Sequence, residues 1–315
     1  MRTALVYRAL GLGDLLAGVP ALRMLRRALP RHRIVLAAPA AQTRLITFAG
    51  VVDQVISTEE LAPVAWTGSP PDLVIDLHGN GPASRDLLRD LDPRRVIGFD
   101  QGDGPAWDPA EHERERWCRL LVETLGAEGS PDDVRLPRPP GPASHTPAIL
   151  IHPGAASGSR RWPPDRFADL ATRLAITGTP VLITGSSGEH DLAEDVRRRA
   201  GLPPEANLAG TTDLIELAAL VDDTHLLVSG DTGIAHLASA FATPSVILFG
   251  PTPPALWGPP PGPHIALWRG TDTGDPHGSH PDPALLRLTV SEVTAASLRL
   301  LREPSGSLPP TVPSA

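Results

Sequence analysis

The chain has 315 residues, 41% of them hydrophobic and 20% charged, which is enough apolar chain for two globular domains. Its formal net charge of −8 argues against nucleic acid as the main partner. All 28 basic residues are arginine, so Schiff-base chemistry on lysine and a Walker-type phosphate lysine are both excluded.

The single cysteine, Cys118, excludes a disulfide within the chain and favours a reducing compartment. We expect no secretion signal, because Arg8 and Asp14 interrupt the first apolar stretch. No run reaches the ~18 apolar residues of a membrane span. The sequence therefore predicts a cytoplasmic protein.

Short apolar runs alternate with amphipathic stretches of helical spacing along the whole chain, a pattern typical of α/β proteins with parallel sheets. The predicted strands are 3–9, 33–38, 73–77, 149–152, 181–184, 226–229 and 245–249. Five prolines in 136–147 predict a linker between two α/β halves. We therefore expect an N-terminal domain over 1–135 and a C-terminal domain over 148–285.

Four further segments follow from composition. Segments 250–263 and 270–283 are rich in Pro, Gly and His, which predicts irregular structure. Segment 285–301 is expected to contain a strand-like run and a helix. We predict the bounds of this C-terminal helix as 286–302. The Pro- and Ser-rich residues 303–315 predict a disordered tail.

The first predicted strand runs into the sequence LGLGD, which ends with Gly13 and Asp14. A dinucleotide-binding G-x-G-x-x-G motif would need glycine where Leu16 stands, so nicotinamide binding is not favoured. Asp14 fits a helix N-cap. It also fits a general base in a loop, since Pro20 is expected to block or kink the early helix.

In the second half, a buried strand over 149–152 leads into the sequence SGSRRWP at 157–163. Ser157, Arg160 and Arg161, placed among glycines, predict a cradle for a diphosphate, with a solvated loop as the alternative. The strand over 181–184 ends in GSSG, a common strand-to-helix turn that is weak evidence by itself.

The strongest signal is the sequence LLVSGDTGIAHLASA at 226–240. We expect the strand to end at Ser229 and a helix to begin at Asp231 or Thr232. Thr232 and His236 then share one face near the first turn, where free N–H groups and the helix dipole favour a phosphate. The Asp-Thr-Gly of aspartic proteases does not fit, because those proteins are β-rich and need two such carboxylates. A structural role for His236 is the other alternative.

The chain resembles the heptosyltransferase family of inverting glycosyltransferases, known as family nine. The segments that carry the resemblance are GLGDLLAGVPALRMLRRALP, DLVIDLHGN, ILIHPGAASGSRRWPPDRFADLATRL, VLITGSSGEHDLAEDV, NLAGTTDLIELAALV and SGDTGIAHLASAFATPSVILFGPTPP. The resemblance implies a GT-B fold, in which two Rossmann-like doubly wound domains face a central cleft. The N-terminal domain would take the acceptor and the C-terminal domain the nucleotide sugar.

The resemblance also assigns roles to individual residues. Asp14 matches the proposed catalytic base. Asp231, Thr232, Gly233 and His236 match the donor-binding motif, and Arg160 would lie close to the donor phosphates. We predict that Gly13 and Ser157 also belong to the donor and phosphate site. Arg160 stands where many relatives carry lysine before Trp-Pro, which keeps the charge and changes the geometry. His78, after its strand, is predicted to face the acceptor.

The predicted function is inverting, metal-independent transfer of a sugar from a nucleoside-diphosphate sugar to a hydroxyl of a glycan or lipid-linked acceptor. The donor is a substrate, ADP-linked heptose being one candidate, and no cofactor is expected. An epimerase of nucleotide sugars and a non-catalytic nucleotide-sugar binder are the alternatives. Basic residues near the first helix also predict peripheral contact with a membrane: Arg23, Arg26, Arg27, Arg31 and Arg33.

Overall fold

The computed structural model describes residues 2–100, 102–140 and 148–302. The chain divides into two compact units, Met1–Pro137 and Arg138–Ala315, called here the N-terminal and C-terminal units. The boundary falls inside the proline-rich segment 136–147. Residues 141–147 of that segment and the predicted tail 303–315 lie outside the described residues.

The N-terminal unit is a five-stranded parallel sheet with the order β3-β2-β1-β4-β5. Its strands are β1 (Arg2–Tyr7), β2 (His32–Ala38), β3 (Gln54–Ser57), β4 (Leu73–Asp76) and β5 (Arg95–Ile97). Its helices are α1 (Leu12–Ala28), α2 (Thr43–Ala49), α3 (Pro82–Arg89) and α4 (Glu113–Leu125). β1 is the central strand, and its residues from Ala4 onward are buried on both faces, as an all-parallel sheet requires.

Helix α1 passes through Pro20 without ending, so the expected block at this residue is wrong. A proline inside a helix removes one N–H···O bond and strains the preceding turn. Here Pro20 lies within an unbroken buried stretch that includes Leu16, Val19 and Leu22, and α1 also packs against α4. Burial of this apolar face outweighs the lost hydrogen bond, because each buried aliphatic side chain contributes roughly 1.5–3 kcal/mol.

The C-terminal unit is a second five-stranded parallel sheet, with the order β10-β9-β8-β6-β7. Its strands are β6 (Ile149–His152), β7 (Val181–Ile183), β8 (Leu226–Gly230), β9 (Ser245–Leu248) and β10 (His264–Leu267). Its α-helices are α5 (Pro164–Ala175), α6 (His190–Arg199), α7 (Leu214–Asp222), α8 (Gly233–Phe241), α9 (Pro254–Trp257), α10 (Pro283–Leu286) and α11 (Val290–Arg302).

The core of this unit lies between the sheet and the helices α5, α6 and α11. Trp162 and Phe167 meet edge to face in it, with ring centroids 5.1 Å apart, and both are buried. The expected strand-like run at the start of 285–301 is wrong. That segment contains the end of α10 and most of α11. Leu285 of α10 and Leu288, in the connection between the two helices, are buried in the core.

The prediction of two doubly wound parallel α/β units is confirmed. None of the helices in the described ranges has the length and apolarity needed to cross a lipid bilayer.

Candidate active site

Each sheet has one topological switch point, a gap between two neighbouring strands from which the chain winds outward in both directions. In the N-terminal unit the gap lies between β1 and β4, and in the C-terminal unit between β6 and β8. Open parallel sheets bind their ligands beyond the carboxyl ends of the strands at such a point. In each unit, candidate site residues are therefore expected at the ends of the two strands that border its gap.

At the first switch point, Asp14 is the third residue of α1, and Gly11 is the residue that caps the helix. The N-cap interpretation of Asp14 and its placement in a loop are therefore both wrong, because the helix begins at Leu12. Gly13 lies beside it in the first turn. A carboxylate here is favoured by the helix dipole. The side chain of Asp14 is about one third exposed, at 30%.

Arg8 follows β1 directly and is fully buried. Its Nε donates to the backbone carbonyl of Asp14 at 2.6 Å, and its Nη1 donates to the carbonyl of Leu77 after β4. Its Nη2 donates to Glu113 Oε1 at 3.0 Å and lies 3.9 Å from Asp14 Oδ1. Arg8 is not among the site residues that the sequence predicts. The available signal was an arginine directly after an apolar strand.

His78 lies two residues beyond β4, at the same switch point. Its ring is tilted against that of Tyr7, with centroids 5.0 Å apart, and burial lowers the pKa of His78. Asp76, the last residue of β4, accepts hydrogen bonds from His78 N and Ser84 Oγ. Burial raises the pKa of Asp76. A neutral His78 at this position can exchange hydrogen bonds with a hydroxyl.

At the second switch point, β8 ends at Gly230 and α8 begins at Gly233, with Thr232 as the extended N-cap. The prediction that the helix begins at Asp231 or Thr232 is therefore early by one or two residues. Asp231 is buried, and its N–H donates to the carbonyl of Leu248 at 3.1 Å. The first N–H groups of a helix lack partners in the helical ladder, and those of α8 follow the end of β8 by a few residues. One of them, Ala235 N, donates to the carbonyl of Thr232 at 2.9 Å.

Thr232 is the N-cap of α8 and His236 is the fourth residue of the helix, and that their side chains share one face stays a prediction. The ring of His236 meets Trp257 of α9 edge to face, with centroids 5.9 Å apart. Trp257 in turn packs on a small cluster around Phe249, just beyond β9. His236 is thus held at the carboxyl edge of the sheet by an aromatic contact.

Ser157 precedes a short 3₁₀ turn beyond β6, and Arg160 is the last residue of that turn. Arg160 Nε donates to Ser157 Oγ at 3.2 Å, and its backbone carbonyl lies against Gly230, where an added Cβ would be only 2.8 Å away. This close approach places Arg160 beside Asp231 in the fold. Arg161 donates twice to the carbonyl of Ala155, so its charged group holds the loop together.

The segment 276–282 packs onto this turn, which the sequence did not predict. Ser157 Oγ donates to the carbonyl of Pro276 at 2.5 Å, and Ser159 N donates to the carbonyl of Gly278 at 2.8 Å. Asp282 N donates back to the carbonyl of Ser159 at 3.1 Å. Gly158 is so close to the carbonyl of Ser279 that a Cβ could not fit there. We name this assembly of 157–160 with 276–282 the interlocked turn.

A buried histidine, His152, ends β6 at the second switch point. Its Nδ1 lies 3.0 Å from Thr184 Oγ1, and burial lowers the pKa of His152 despite the opposing charge of Glu189. Glu189 caps its own turn by accepting from Ser186 N at 2.8 Å. Its carboxylate lies where a Cβ of Gly154 would be.

A cavity of about 810 Å³ opens in the N-terminal unit. Thr3, Arg33, Gln54, Asp72 and Arg94 line it, and they stand at the amino ends of the five strands. It therefore lies at the sheet edge opposite to Arg8 and Asp14. Ligand chemistry in this fold class belongs to the carboxyl edge, so this cavity does not identify the active site.

The structure thus gathers the predicted residues into two groups. Gly13, Asp14 and His78 lie at the first switch point, and the other six lie around the second: Ser157, Arg160, Asp231, Thr232, Gly233 and His236. Each group belongs to one unit.

Comparisons with known proteins agree with this arrangement. Residues 109–274, more than half of the chain, match the family model described as glycosyltransferase family 9 (heptosyltransferase). Lipopolysaccharide heptosyltransferase 2 of Escherichia coli K12 is 34% identical over 116 residues, which are 36% of this chain and 33% of that protein. Lipopolysaccharide heptosyltransferase 3 of the same organism is 31% identical over 164 residues, 50% of this chain and 48% of that protein.

The matched segments therefore span about a third to a half of the length of these curated relatives. Solved structures resemble the whole chain. The family 9 glycosyl transferase of Veillonella parvula superposes with a TM-score of 0.78 at 18% identity, covering 95% of this chain and 97% of that chain. The ADP-heptose heptosyltransferase II of E. coli gives 0.72 at 21% identity, covering 95% and 98%. At such identities the likeness shows the GT-B fold alone. Taken with the family match, it shows that this chain belongs to glycosyltransferase family 9.

Proposed function

We propose that the protein transfers a sugar from a nucleoside-diphosphate sugar to a hydroxyl of a glycan or lipid-linked acceptor, with inversion at the anomeric carbon. The observation that carries the proposal is the position of the family's motif residues. In each unit they lie at the topological switch point, where parallel α/β sheets bind ligands. A carboxylate stands at one point, and an arginine with a helix N-terminus stands at the other.

In this proposal Asp14 takes the proton of the acceptor hydroxyl as the acceptor oxygen attacks the anomeric carbon. The bond from that carbon to the diphosphate oxygen breaks in the same step, and the nucleoside diphosphate leaves with the electron pair. Arg160 and the first-turn N–H groups of α8 are suited to stabilise the departing charge. A neutral His78 is placed to hydrogen-bond the acceptor.

We further propose that the donor phosphates need no metal ion or cofactor, because Arg160 and the α8 N-terminus already offer positive charge at this edge. Turnover unaffected by EDTA is the expected result. ADP-heptose is the first donor to test, since the solved structure of an E. coli relative is named for it. A nucleoside diphosphate accumulating with acceptor present distinguishes a transferase from an epimerase, which would return nucleotide sugar.

We propose that the protein acts in the cytoplasm, beside the membrane that presents its acceptor. Three of the five basic residues near α1 form ion pairs within the protein: Arg23 and Arg27 with Asp133, at 2.5 and 3.5 Å, and Arg26 with Asp53, at 2.5 Å. Sedimentation with vesicles containing anionic lipid, at low and at high salt, tests this contact. Binding at low salt alone would support it, and no binding at either would refute it.

A thermal-shift panel of ADP, UDP, GDP and dTDP tests the donor site. A ligand at a hundred times its dissociation constant should stabilise the protein by ~2.7 kcal/mol. We expect one diphosphate to stabilise the wild type and not the double variant Thr232→Ala/His236→Ala. The matched control is Thr211→Ala/His225→Ala, two exposed residues of the same unit, which should respond like the wild type.

Asp14→Asn separates binding from catalysis. We expect it to retain the thermal shift with the selected diphosphate and to lose turnover. Unchanged turnover would contradict the role of Asp14 as base. A folded wild type that none of the four diphosphates stabilises would contradict the donor site, and a donor-binding wild type without any turnover would favour the non-catalytic binder.

A further inference from the structure

We propose that Arg8 is a positioning residue for Asp14: its buried guanidinium fixes the first turn of α1 and holds the carboxylate at the first switch point. The inference rests on the proposed function, in which Asp14 is the base. It extends that function to a buried group of charged residues, Arg8, Glu113 and Arg116, that the family's motif residues do not include.

The guanidinium of Arg8 spans three segments of the N-terminal unit. Nε donates to the carbonyl of Asp14 at 2.6 Å, and Nη1 donates to the carbonyl of Leu77. Nη2 is shared between Glu113 Oε1, at 3.0 Å, and Asp14 Oδ1, at 3.9 Å. The donors of arginine form a planar fork with fixed directions. A displacement of Arg8 would therefore move Asp14 relative to the end of β4.

The far side of Arg8 is held rigidly by α4. Glu113 accepts from Arg8, from Arg116 Nη1 at 2.6 Å and from Trp117 Nε1 at 2.6 Å. The guanidinium carbon of Arg8 also lies 4.9 Å from the ring centroid of Trp117. Gly18 of α1 leaves the space for the arginine, since a Cβ there would lie 3.0 Å from Arg8 Cδ and Nε.

The charges of this group do not balance without Asp14. Arg8 and Arg116 carry two positive charges against the single carboxylate of Glu113, and all three side chains are at most 8% exposed. Buried charges are costly unless they are paired. Asp14 supplies the second carboxylate, and at 30% exposure it is the member of the four that is accessible to a ligand. The group thus presents one fixed carboxylate at the carboxyl edge of the sheet.

The alternative is that Arg8 serves folding alone. Removing Arg8 takes a charged partner away from the buried Glu113 carboxylate. A single substitution therefore cannot separate a role of Arg8 in folding from a role in positioning Asp14. The double variant Arg8→Met/Glu113→Gln can, because it removes one charge of each sign and keeps the side-chain volumes close. Trp117 donates to Oε1 of Glu113 and Arg116 donates to Oε2, so the one amide oxygen introduced by Glu113→Gln keeps one of these two hydrogen bonds. Arg116 also keeps the carbonyls of Asp108 and Glu111.

The experiment compares wild type, Arg8→Met, Arg8→Lys, the double variant and Asp14→Asn. Turnover is followed as ADP release from ADP-heptose with heptose-free lipopolysaccharide as acceptor. We expect Arg8→Met to lower Tm, and the double variant to recover most of that loss while kcat stays about a hundredfold below wild type with donor KM unchanged. Arg8→Lys should fall between. The control is Arg119→Met, which removes an arginine of α4 that pairs with Glu111 before the helix, and it should keep full kcat.

A crystal structure of the double variant supplies a readout that does not depend on turnover. We expect the Asp14 carboxylate to be displaced from its wild-type position by more than about 1 Å, on the order of the misplacement that abolishes near-attack geometry. An unmoved carboxylate, or a double variant with wild-type kcat, would overturn the inference. Full turnover in Asp14→Asn would instead refute the base, and a displaced carboxylate in the double variant would still support the positioning by Arg8.

Discussion

The buried histidine at the end of β6 makes the stability of the C-terminal unit dependent on pH. Burial lowers the pKa of His152 below its ordinary value of 6.5. Below pH 6.5 the unfolded chain therefore binds a proton at this residue that the folded chain does not bind. Its contribution to stability is complete above pH 6.5 and is lost as the pH falls through 6.5 toward the folded pKa.

The magnitude follows from linkage for one group. Between about pH 7.5 and about pH 5.5, protonation of a histidine with a pKa of about 6.5 stabilises the unfolded state by about 1.4 kcal/mol. The folded state gains little over this range, because charging His152 would bury an imidazolium beside Thr184. The free energy of unfolding should therefore fall by up to about 1.4 kcal/mol for this residue alone.

Differential scanning calorimetry of the full chain at about pH 7.5 and about pH 5.5 measures the effect, with the transition of each unit analysed separately. His152→Gln should reduce the acid-induced loss in the C-terminal unit by up to about 1.4 kcal/mol. The exposed His225 of the same unit is the control, and His225→Gln should leave the loss unchanged. A loss that persists in His152→Gln, or a His152 ring that titrates by NMR near the ordinary histidine pKa of 6.5, would refute the reasoning.

Three further predictions follow from local geometry. Gly158→Ala should destabilise the C-terminal unit by roughly 1–3 kcal/mol, because a Cβ there would meet the carbonyl of Ser279. The control is Gly188→Ala, where a Cβ would meet only Ser186 Oγ, at 3.9 Å. Equal calorimetric transitions for the two variants would contradict this packing. Burial raises the pKa of Cys118 to about 12, so its thiol should react with iodoacetamide at about pH 8 only after denaturation, and rapid labelling of folded protein would disprove its burial. Asp213→Ala should cost about 1 kcal/mol, because Asp213 caps α7 by accepting from Ile215 N and Glu216 N, and unchanged hydrogen exchange in α7 would count against this cap.

The strands that the sequence predicted are the ones buried on both faces. β1, β6 and β8 read as unbroken apolar runs because helices cover both sides of a parallel sheet. The three strands that it missed, β3, β5 and β10, are short and are mostly half-buried or exposed. A strand of three or four residues with polar neighbours has no distinctive periodicity.

The site was predictable where it depends on local sequence. The strand, the glycines and the helix around Thr232 adjoin one another in the chain, so their pattern is visible in a single stretch. Contacts between distant segments were not visible. Arg8 meets Glu113 across 105 residues, and the 3₁₀ turn at Ser157 meets Pro276 across 119. Only the tertiary structure shows such pairs.

The interlocked turn has a consequence for exchanging substrate specificity between relatives. The family match ends at residue 274, so the matched region contains Ser157 and Arg160 but stops before segment 276–282. That segment exchanges hydrogen bonds with the turn at 157–160. A chimera that imports a relative's loop at 157–160 alone would leave Gly278 and Asp282 facing a foreign backbone. Grafts at this edge of the sheet should therefore carry both segments as one cassette, although about 115 residues separate them in the chain.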